Sequence, residues 1–248
     1  RSWNRLSEMY EATAESMRSV HGECISMPAQ VLSKLIVQLH PADEFITKAQ
    51  AKIIDWNCAM DSDAVAPTIY SAFRIKLLKR FVEHLVGPLC EVMFTATGRG
   101  APRHLGELAT LMATLVKTDD NAMLPSGKTW HSMAADAFTE AVSSLKERFG
   151  DDMDGWIWGT VHRTFPKHPL SDLFPHFKKQ LDPPAVGMGG DGDTPLAAGF
   201  SSGKPFDVTL LSVLRYVYDT ADWDNSGWAV PLGVSGHPAS AHYADQSD

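Results

Sequence analysis

Residues 233–248, GVSGHPASAHYADQSD, place a serine and a histidine close together near the end of the chain. Ser235 and His242 have the residue types of a catalytic nucleophile and its general base. A serine nucleophile at a strand-to-helix turn usually lies in a G-x-S-x-G pattern, but here the final glycine is displaced and Pro238 follows. The density of glycine, serine and proline therefore favours a structural turn over an activated serine.

Two further histidines, His162 and His168, lie in the stretch WGTVHRTFPKHPL. Their spacing differs from that of HExxH, so it does not indicate a zinc-binding helix. We interpret WIWGTVH as a strand, in which His162 alternates with Trp156 and Trp158. This favours a structural histidine inside the protein and leaves open a role in a pocket.

Two acidic stretches resemble metal-binding loops. GGDGDTP, residues 189–195, lacks the closing acidic residue of a calcium loop, and we interpret it as a tight turn that presents Asp191 or Asp193 to a neighbour. The later residues Asp219, Asp222 and Asp224 have metal-like spacing, but an Asp/Asn/Ser turn after a strand is the favoured interpretation.

The composition limits the class of protein. The chain has 248 residues, of which 44% are hydrophobic, enough to bury a core. Its formal net charge of -8 argues against general nucleic-acid binding, and no apolar run is long enough to span a bilayer. Cys24, Cys58 and Cys90 form no CxxC pair, which favours buried free thiols; one disulfide and an odd thiol are the alternative.

The elements that position these residues change in character near residue 150. Residues 1–150 show helical periodicity, with Ser26 as a predicted cap, Asp61 or Ser62 as another, and Gly87 and Gly150 as helix ends. The predicted helices cover RLSEMYEATAESM, SMPAQVLSKLIVQL, DEFITKAQAKIIDW, DSDAVAPTIYSAFRIKLLKRFVEHLVG, PRHLGELATLMATLV and TWHSMAADAFTEAVSSLKERFG.

Residues 151–248 are predicted to contain strands and long loops. The predicted strands are WIWGTVH, DVTLLSVLRYVYD and WAVPLGV. Three short strands make a poor independent sheet. We therefore expect an α+β fold in which the strand and loop part returns to a sheet whose other strands lie elsewhere.

The order of these pieces resembles the penicillin acylase family of N-terminal-nucleophile hydrolases. RSWNRLSE is similar to the family's R-x-x-R at the start of a helix, and IIDWNCAMDSDAVAPTIYSAF to its tryptophan motif before a long helix. GWIWGTVHRTFPKHPL, GGDGDTP, LRYVYDTADWDNS and PLGVSGHPASAHYADQ resemble later motifs of the family, in this order.

The resemblance implies the C-terminal part of an αββα sandwich, in the large chain of an enzyme that cuts itself from a precursor. It implies an amide hydrolase that cleaves an acyl group from an amine such as a β-lactam nucleus or a homoserine lactone. The nucleophile, usually an N-terminal serine, its neighbouring histidine or glutamine, the oxyanion asparagine and any calcium ligands are expected upstream of Arg1. The segment alone is then expected to lack catalysis and to hold no cofactor.

The resemblance also implies roles for particular residues and partners. Arg5 matches an arginine that organises the oxyanion asparagine and the substrate, and Asp193 is a candidate for a carboxylate that orients a histidine near the nucleophile. Ser235 and His242 then belong to a late structural turn. The expected partners are the rest of the large chain, the small chain and an amide substrate, in the periplasm or outside the cell. The alternative is a non-catalytic helical interaction domain or a degenerate acylase relative.

Overall fold

A computed structural model describes residues 1–95, 107–201 and 204–246 of the chain. The helices are α1 (Ser2–Ser7), α2 (Ala14–His21), α3 (Ala29–Val37), α4 (Glu44–Ile54), α5 (Ala66–Val86), α6 (Leu89–Thr95), α7 (Glu107–Lys117), α8 (Trp130–Phe149), α9 (Trp158–Val161) and α10 (Lys178–Leu181). Short 3-10 turns lie at Met153–Gly155, Pro175–Phe177 and Trp223–Asn225. The strands are β1 (Ala198–Phe200), β2 (Val208–Leu211), β3 (Arg215–Val217) and β4 (Gly227–Ala229).

Most of the predicted helices are confirmed, and their ends follow local capping chemistry. Thr129 forms a reciprocal cap with Ser132 at the start of α8, and Asp43 accepts a hydrogen bond from an amide in the first turn of α4. The predicted ends of α5 at Gly87 and of α8 at Gly150 are also confirmed. The start of the helix predicted from residue 102 lies outside the described residues, and its second part is α7.

Three details at the helix starts differ from the predictions. The first predicted helix is two helices, because Thr13 caps a new start at Ala14 and ends the continuity with α1. Ser26 lies further from α3 than predicted, although its Oγ still accepts a hydrogen bond from the Ala29 amide at 3.1 Å. Neither Asp61 nor Ser62 caps α5, which begins after Val65 without a side-chain cap.

The strand predicted at WIWGTVH, residues 156–162, is wrong, because this segment follows the 3-10 turn at Met153–Gly155 and contains α9. Its backbone is held by the loop before α5: the Gly159 amide donates to the Ser62 carbonyl at 2.6 Å, and the Trp158 amide to that of Ala64 at 2.8 Å. Because the loop uses these hydrogen-bonding groups, the segment pairs with no strand there.

The other predicted strands form two small antiparallel sheets. DVTLLSVLRYVYD supplies two strands rather than one, β2 and β3, and WAVPLGV supplies part of β4. β1 pairs with β2, with an irregularity after Gly199, and β3 pairs with β4 so that Tyr216 lies opposite Trp228. The described chain is therefore helix-rich with little sheet, which is compatible with the predicted α+β class.

The core lies between α5 and α8, where the rings of Phe73 and Phe138 are 6.1 Å apart. Trp156, Trp158 and Phe206 belong to the same buried cluster, although they follow residue 150 in sequence. The two parts of the chain thus share one core, and the boundary at residue 150 stays a prediction.

The three cysteines are free thiols, with Cys58 and Cys90 buried and Cys24 partly buried. No described helix is both long enough and apolar enough to cross a membrane.

Candidate functional site

A buried ion cluster joins α5 to the turn at residues 189–195. Arg74, in the middle of α5, is 9% exposed. Its Nη2 lies 2.6 Å from Oδ2 of Asp191, and its Nη1 lies 3.2 Å from Oδ2 of Asp193. The guanidinium also lies 5.6 Å from the ring centres of Tyr70 and Phe200. One cation thus faces two carboxylates. This ion cluster therefore carries a net negative charge when both carboxylates are ionised.

Asp193 has one satisfied oxygen and one open oxygen. Its Oδ2 accepts a hydrogen bond from Ser26 Oγ at 3.0 Å, whereas its buried Oδ1 accepts none from the described residues. Burial and the negative charge of Asp191 raise the pKa of Asp193 to about 6, against the opposing effect of Arg74. Asp193 can therefore exchange a proton close to neutral pH, and its Oδ1 can accept a hydrogen bond from a further donor.

This raised pKa predicts that the free energy of unfolding depends on pH. The pKa of Asp193 rises from its ordinary value of 3.8 to about 6 on folding, so the folded protein holds this proton more tightly than the unfolded chain. Its stabilising contribution is fully present below about pH 4 and is lost as the pH rises through about 6. Urea unfolding of the full-length protein and of Asp193→Asn at several pH values measures it. The difference in free energy of unfolding between the two proteins should change between about pH 4 and pH 6. A constant difference would contradict the raised pKa of Asp193.

The turn itself is fixed by close backbone approach at Gly190. This glycine has a φ of 78°, and a Cβ added there would lie 2.0 Å from the Leu196 carbonyl oxygen. Its amide donates to the Met60 carbonyl at 2.7 Å, and its carbonyl accepts from the Trp158 indole at 3.1 Å. These contacts hold the turn that carries both carboxylates against the loop before α5 and the start of α9.

His162 lies inside the protein beside this turn, at the end of α9. Its Nδ1 is 2.7 Å from the Phe206 carbonyl oxygen, and its ring stacks on Trp158 with centres 4.2 Å apart. Burial lowers the pKa of His162 to about 4, so the imidazole is neutral near neutral pH. The predicted structural histidine is present, but it reaches the core from a helix end and not from a strand.

Arg5 lies on α1 and is held by a buried carboxylate. Its Nη1 is 2.6 Å from Oε2 of Glu23, and its Nη2 donates to Ser19 Oγ at 3.2 Å. Arg1 approaches the same Glu23 oxygen at 3.5 Å. The Glu23 side chain is 7% exposed and that of Arg5 is 32% exposed, so a buried anion orients a cation that still reaches the surface.

The two predicted site residues, Arg5 and Asp193, are connected through Glu23. The Glu23 side chain binds Arg5, and its backbone carbonyl accepts a hydrogen bond from the Leu196 amide at 3.0 Å, just after the turn. No direct hydrogen bond or ion pair joins Arg5 to Asp193 within the described residues. The structure therefore places them on connected segments and not in one contact.

The polar C-terminal stretch forms a hydrogen-bonded turn. The Ser235 amide donates to the His242 carbonyl at 3.0 Å, and Ser235 Oγ accepts from the His237 amide at 3.1 Å. His242 Nδ1 lies 2.7 Å from Oδ2 of Asp245 on the exposed surface. These bonds are those of a turn, as the sequence favoured.

The carboxylates of the second acidic stretch serve a turn as well. Asp219 accepts hydrogen bonds from the amides of Ala221 and Asp222, and Asp222 accepts one from that of Asp224. Among residues 1–95, 107–201 and 204–246, no group of three or more histidine, cysteine or acidic side chains is placed to hold a metal ion.

The sequence motifs did not indicate Arg74 or Glu23 as parts of the site. A signal for Arg74 exists, because it lies one helical turn after Tyr70 and one before Leu78, on the side of α5 that becomes buried. A charged residue at a buried-face position indicates a buried partner. No comparable periodicity marks Glu23, which lies in the short connection between α2 and α3.

Comparisons with known proteins agree with the family resemblance. The model of the penicillin amidase family matches residues 1–248. The chain is 36% identical over 209 residues to the penicillin acylase 2 proenzyme of Pseudomonas sp. (strain SE83). The aligned region covers 84% of this chain and 25% of that protein. It is 26% identical over 140 residues to the acyl-homoserine lactone acylase QuiP of Pseudomonas aeruginosa. This second aligned region covers 52% of this chain and 16% of that protein.

A third relative is the acyl-homoserine lactone acylase QuiP of Pseudomonas syringae pv. syringae, 29% identical over 130 residues, with 51% of this chain and 15% of that protein covered. The chain spans a quarter or less of the length of these relatives, since the shares are 25%, 16% and 15%. The family match nevertheless includes every segment that carries the motifs and the ion cluster. The chain belongs to the penicillin amidase family.

Proposed function

We propose that this chain is a segment of an acylase, an amide hydrolase that removes an acyl group from an amine such as a β-lactam nucleus or a homoserine lactone. The observation that carries the proposal is the family match over residues 1–248. Two of its relatives are named for acylase activity on penicillin or on acyl-homoserine lactones, which supports both amine classes.

The proposed nucleophile is an N-terminal serine created by cleavage of a precursor, upstream of this chain. The name of one relative, a proenzyme, supports the processing step. The α-amino group of such a serine has a reference pKa of about 7.7–8.0 and can act as the base near working pH. Asparagine and backbone donors from the rest of the enzyme would stabilise the oxyanion.

Arg5 is proposed as a positioning residue for the oxyanion asparagine and the substrate. Its support is geometric: Glu23 fixes the guanidinium at 2.6 Å, while 32% of the Arg5 side chain stays accessible. A guanidinium offers five donors in a rigid plane, so the N–H groups that Glu23 and Ser19 do not use can orient a neighbouring amide oxygen.

Asp193 is proposed as the carboxylate that orients a histidine near the nucleophile. Its Oδ1 is buried and accepts no hydrogen bond from the described residues, so it can accept one from an imidazole N–H. Arg74 and Ser26 fix the other oxygen and thereby the direction of the carboxylate.

The proposed partners are the rest of the large chain and the small chain of the acylase. Four aromatic side chains on and beside the β3–β4 sheet are each at least 47% exposed: Tyr216, Tyr218, Trp223 and Trp228. A two-stranded sheet is marginally stable alone and needs further strands or a covering layer. This supports the proposal that other segments of the acylase complete an αββα sandwich. Export to the periplasm or the medium is proposed by family analogy.

Intact-mass analysis and N-terminal sequencing of the native full-length protein test this proposal. We expect two chains, with the larger one beginning at serine, threonine or cysteine, and we expect the purified protein to hydrolyse amide substrates. Replacement of that first residue by alanine should leave one unprocessed chain without activity. A single unprocessed, folded and inactive wild-type chain would instead favour the non-catalytic or degenerate alternative.

A further inference from the structure

A pocket of about 320 Å³ lies between helices α1 and α2 and the segment that joins β2 to β3. Its size falls within the usual range of small-molecule sites, about 300–1,000 Å³. The apolar lining of the pocket consists of Leu6, Met17, Val20, Pro195 and Leu214. The polar lining consists of Ser2, His21, Ser212 and Arg215.

The side chain of Arg215 has no ion-pair or hydrogen-bond partner among the described residues, although it is only partly exposed. Burial lowers its pKa, and Cys24 is the neighbouring group that opposes this effect. The pKa of the Cys24 thiol is itself raised to about 11, so the thiol is uncharged near neutral pH and supplies no counter-ion. An arginine stays protonated under these conditions, so the pocket contains an uncompensated positive charge.

Two arginines on α1 and α2, the helices beside the pocket, do have partners. Arg5 binds Glu23, and Arg18 on α2 donates to the Asn225 carbonyl at 3.0 Å. Partial burial of an unpaired cation costs free energy, which an anion in the pocket would recover. The planar guanidinium matches a carboxylate with two parallel hydrogen bonds, and the hydroxyls of Ser2 and Ser212 line the same space.

We infer that this pocket binds a small amphipathic organic acid. The carboxylate of the acid binds Arg215, and its hydrocarbon part contacts the apolar lining residues, among them Leu6, Met17 and Val20. Hydrolysis of an acyl amide releases such an acid. A role for the pocket in holding a carboxylate-bearing product or substrate therefore rests on the proposed function, whereas the binding itself does not.

Calorimetric titration of the full-length protein with octanoate and with octan-1-ol tests the inference. The two probes share the same hydrocarbon chain and differ in charge, and neither is an amide. We expect octanoate to bind at least about tenfold more tightly than octan-1-ol, as charge-assisted hydrogen bonds imply. Arg215→Gln should remove this preference and leave the affinity for octan-1-ol unchanged, while Arg215→Lys should keep part of it.

Arg18→Gln is the matched control, because it removes the same charge nearby but outside the pocket lining. It should leave the preference for octanoate intact. An unchanged preference in Arg215→Gln would place the acid elsewhere and overturn the inference. Absence of octanoate binding to the wild-type protein would likewise overturn the inference. Binding without amide hydrolysis would retain this site and reject the proposed function alone.

Discussion

Replacement of Arg74 by methionine is expected to lower the free energy of unfolding by about 3–5 kcal/mol, the usual cost of removing one partner from a buried ion pair. The change leaves Asp191 and Asp193 without their cation, with side chains that are 3% and 16% exposed. The loss should be larger at pH 7 than at pH 5, because the pKa of Asp193 is raised and a protonated carboxyl needs no counter-ion. Urea unfolding of the full-length protein at both pH values measures this effect.

Arg80→Met on the same helix is the matched control for Arg74. Its partner is Glu140 at 3.0 Å, and the two side chains are 37% and 44% exposed. Exposed pairs of this kind contribute about 0–1 kcal/mol. The triple variant Arg74→Met, Asp191→Asn, Asp193→Asn should recover part of the lost stability, because it removes the uncompensated charges. Equal losses in Arg74→Met and Arg80→Met would contradict the assigned role of the ion cluster.

The sequence predicted the helices well because their signals are local. Apolar periodicity along α5 and α8 spans more than five turns in each helix, and the ends at Thr129 and Gly150 depend on only a few neighbouring residues. The failure at Thr13 has the same origin. The segment RLSEMYEATAESM was predicted as one helix, but Thr13, with a serine three residues later, starts a new one.

The strand prediction failed at WIWGTVH because its conformation depends on distant backbone. The tryptophan and β-branched content is typical of a strand, but both indoles are fully buried by different neighbours. Trp158 donates to the Gly190 carbonyl, 32 positions away, and its own amide is bound by the loop before α5. Intrinsic preference could not anticipate contacts that only the complete fold supplies.

The candidate site was predicted only where a motif carried it. The resemblance to family motifs directed attention to Arg5 and to the turn with Asp193. It did not indicate Arg74, because its contact with Asp191 joins residues 117 positions apart. Glu23 was missed as well, because its ion pairs with Arg1 and Arg5 join it to a different helix, α1. Charged residues in the core become interpretable only after the helices are placed.

Arg5→Gln is expected to lower kcat for amide hydrolysis by about 100-fold, comparable to the loss of an oxyanion-hole donor. The proposed reason is positional: without the guanidinium, the asparagine that stabilises the oxyanion is no longer held by a charged donor. The Arg5 side chain is 32% exposed, and Glu23 keeps Arg1 as a partner at 3.5 Å. The melting temperature and precursor processing should therefore change little. Steady-state kinetics, melting curves and intact-mass analysis of the full-length protein measure the three quantities.

Arg1→Gln separates this role from general stabilisation of Glu23. Arg1 lies one turn earlier, approaches the same carboxylate and has a similar exposure of 26%, so the variant removes an equivalent charge. Its kcat should stay near that of the wild-type protein, and Arg5→Lys should restore only part of the activity because lysine lacks the planar pair of donors. A kcat loss in Arg5→Gln that follows a fall in melting temperature, or that Arg1→Gln reproduces, would reduce Arg5 to a structural partner of Glu23. A loss confined to kcat in Arg5→Gln would place α1 beside the reacting amide.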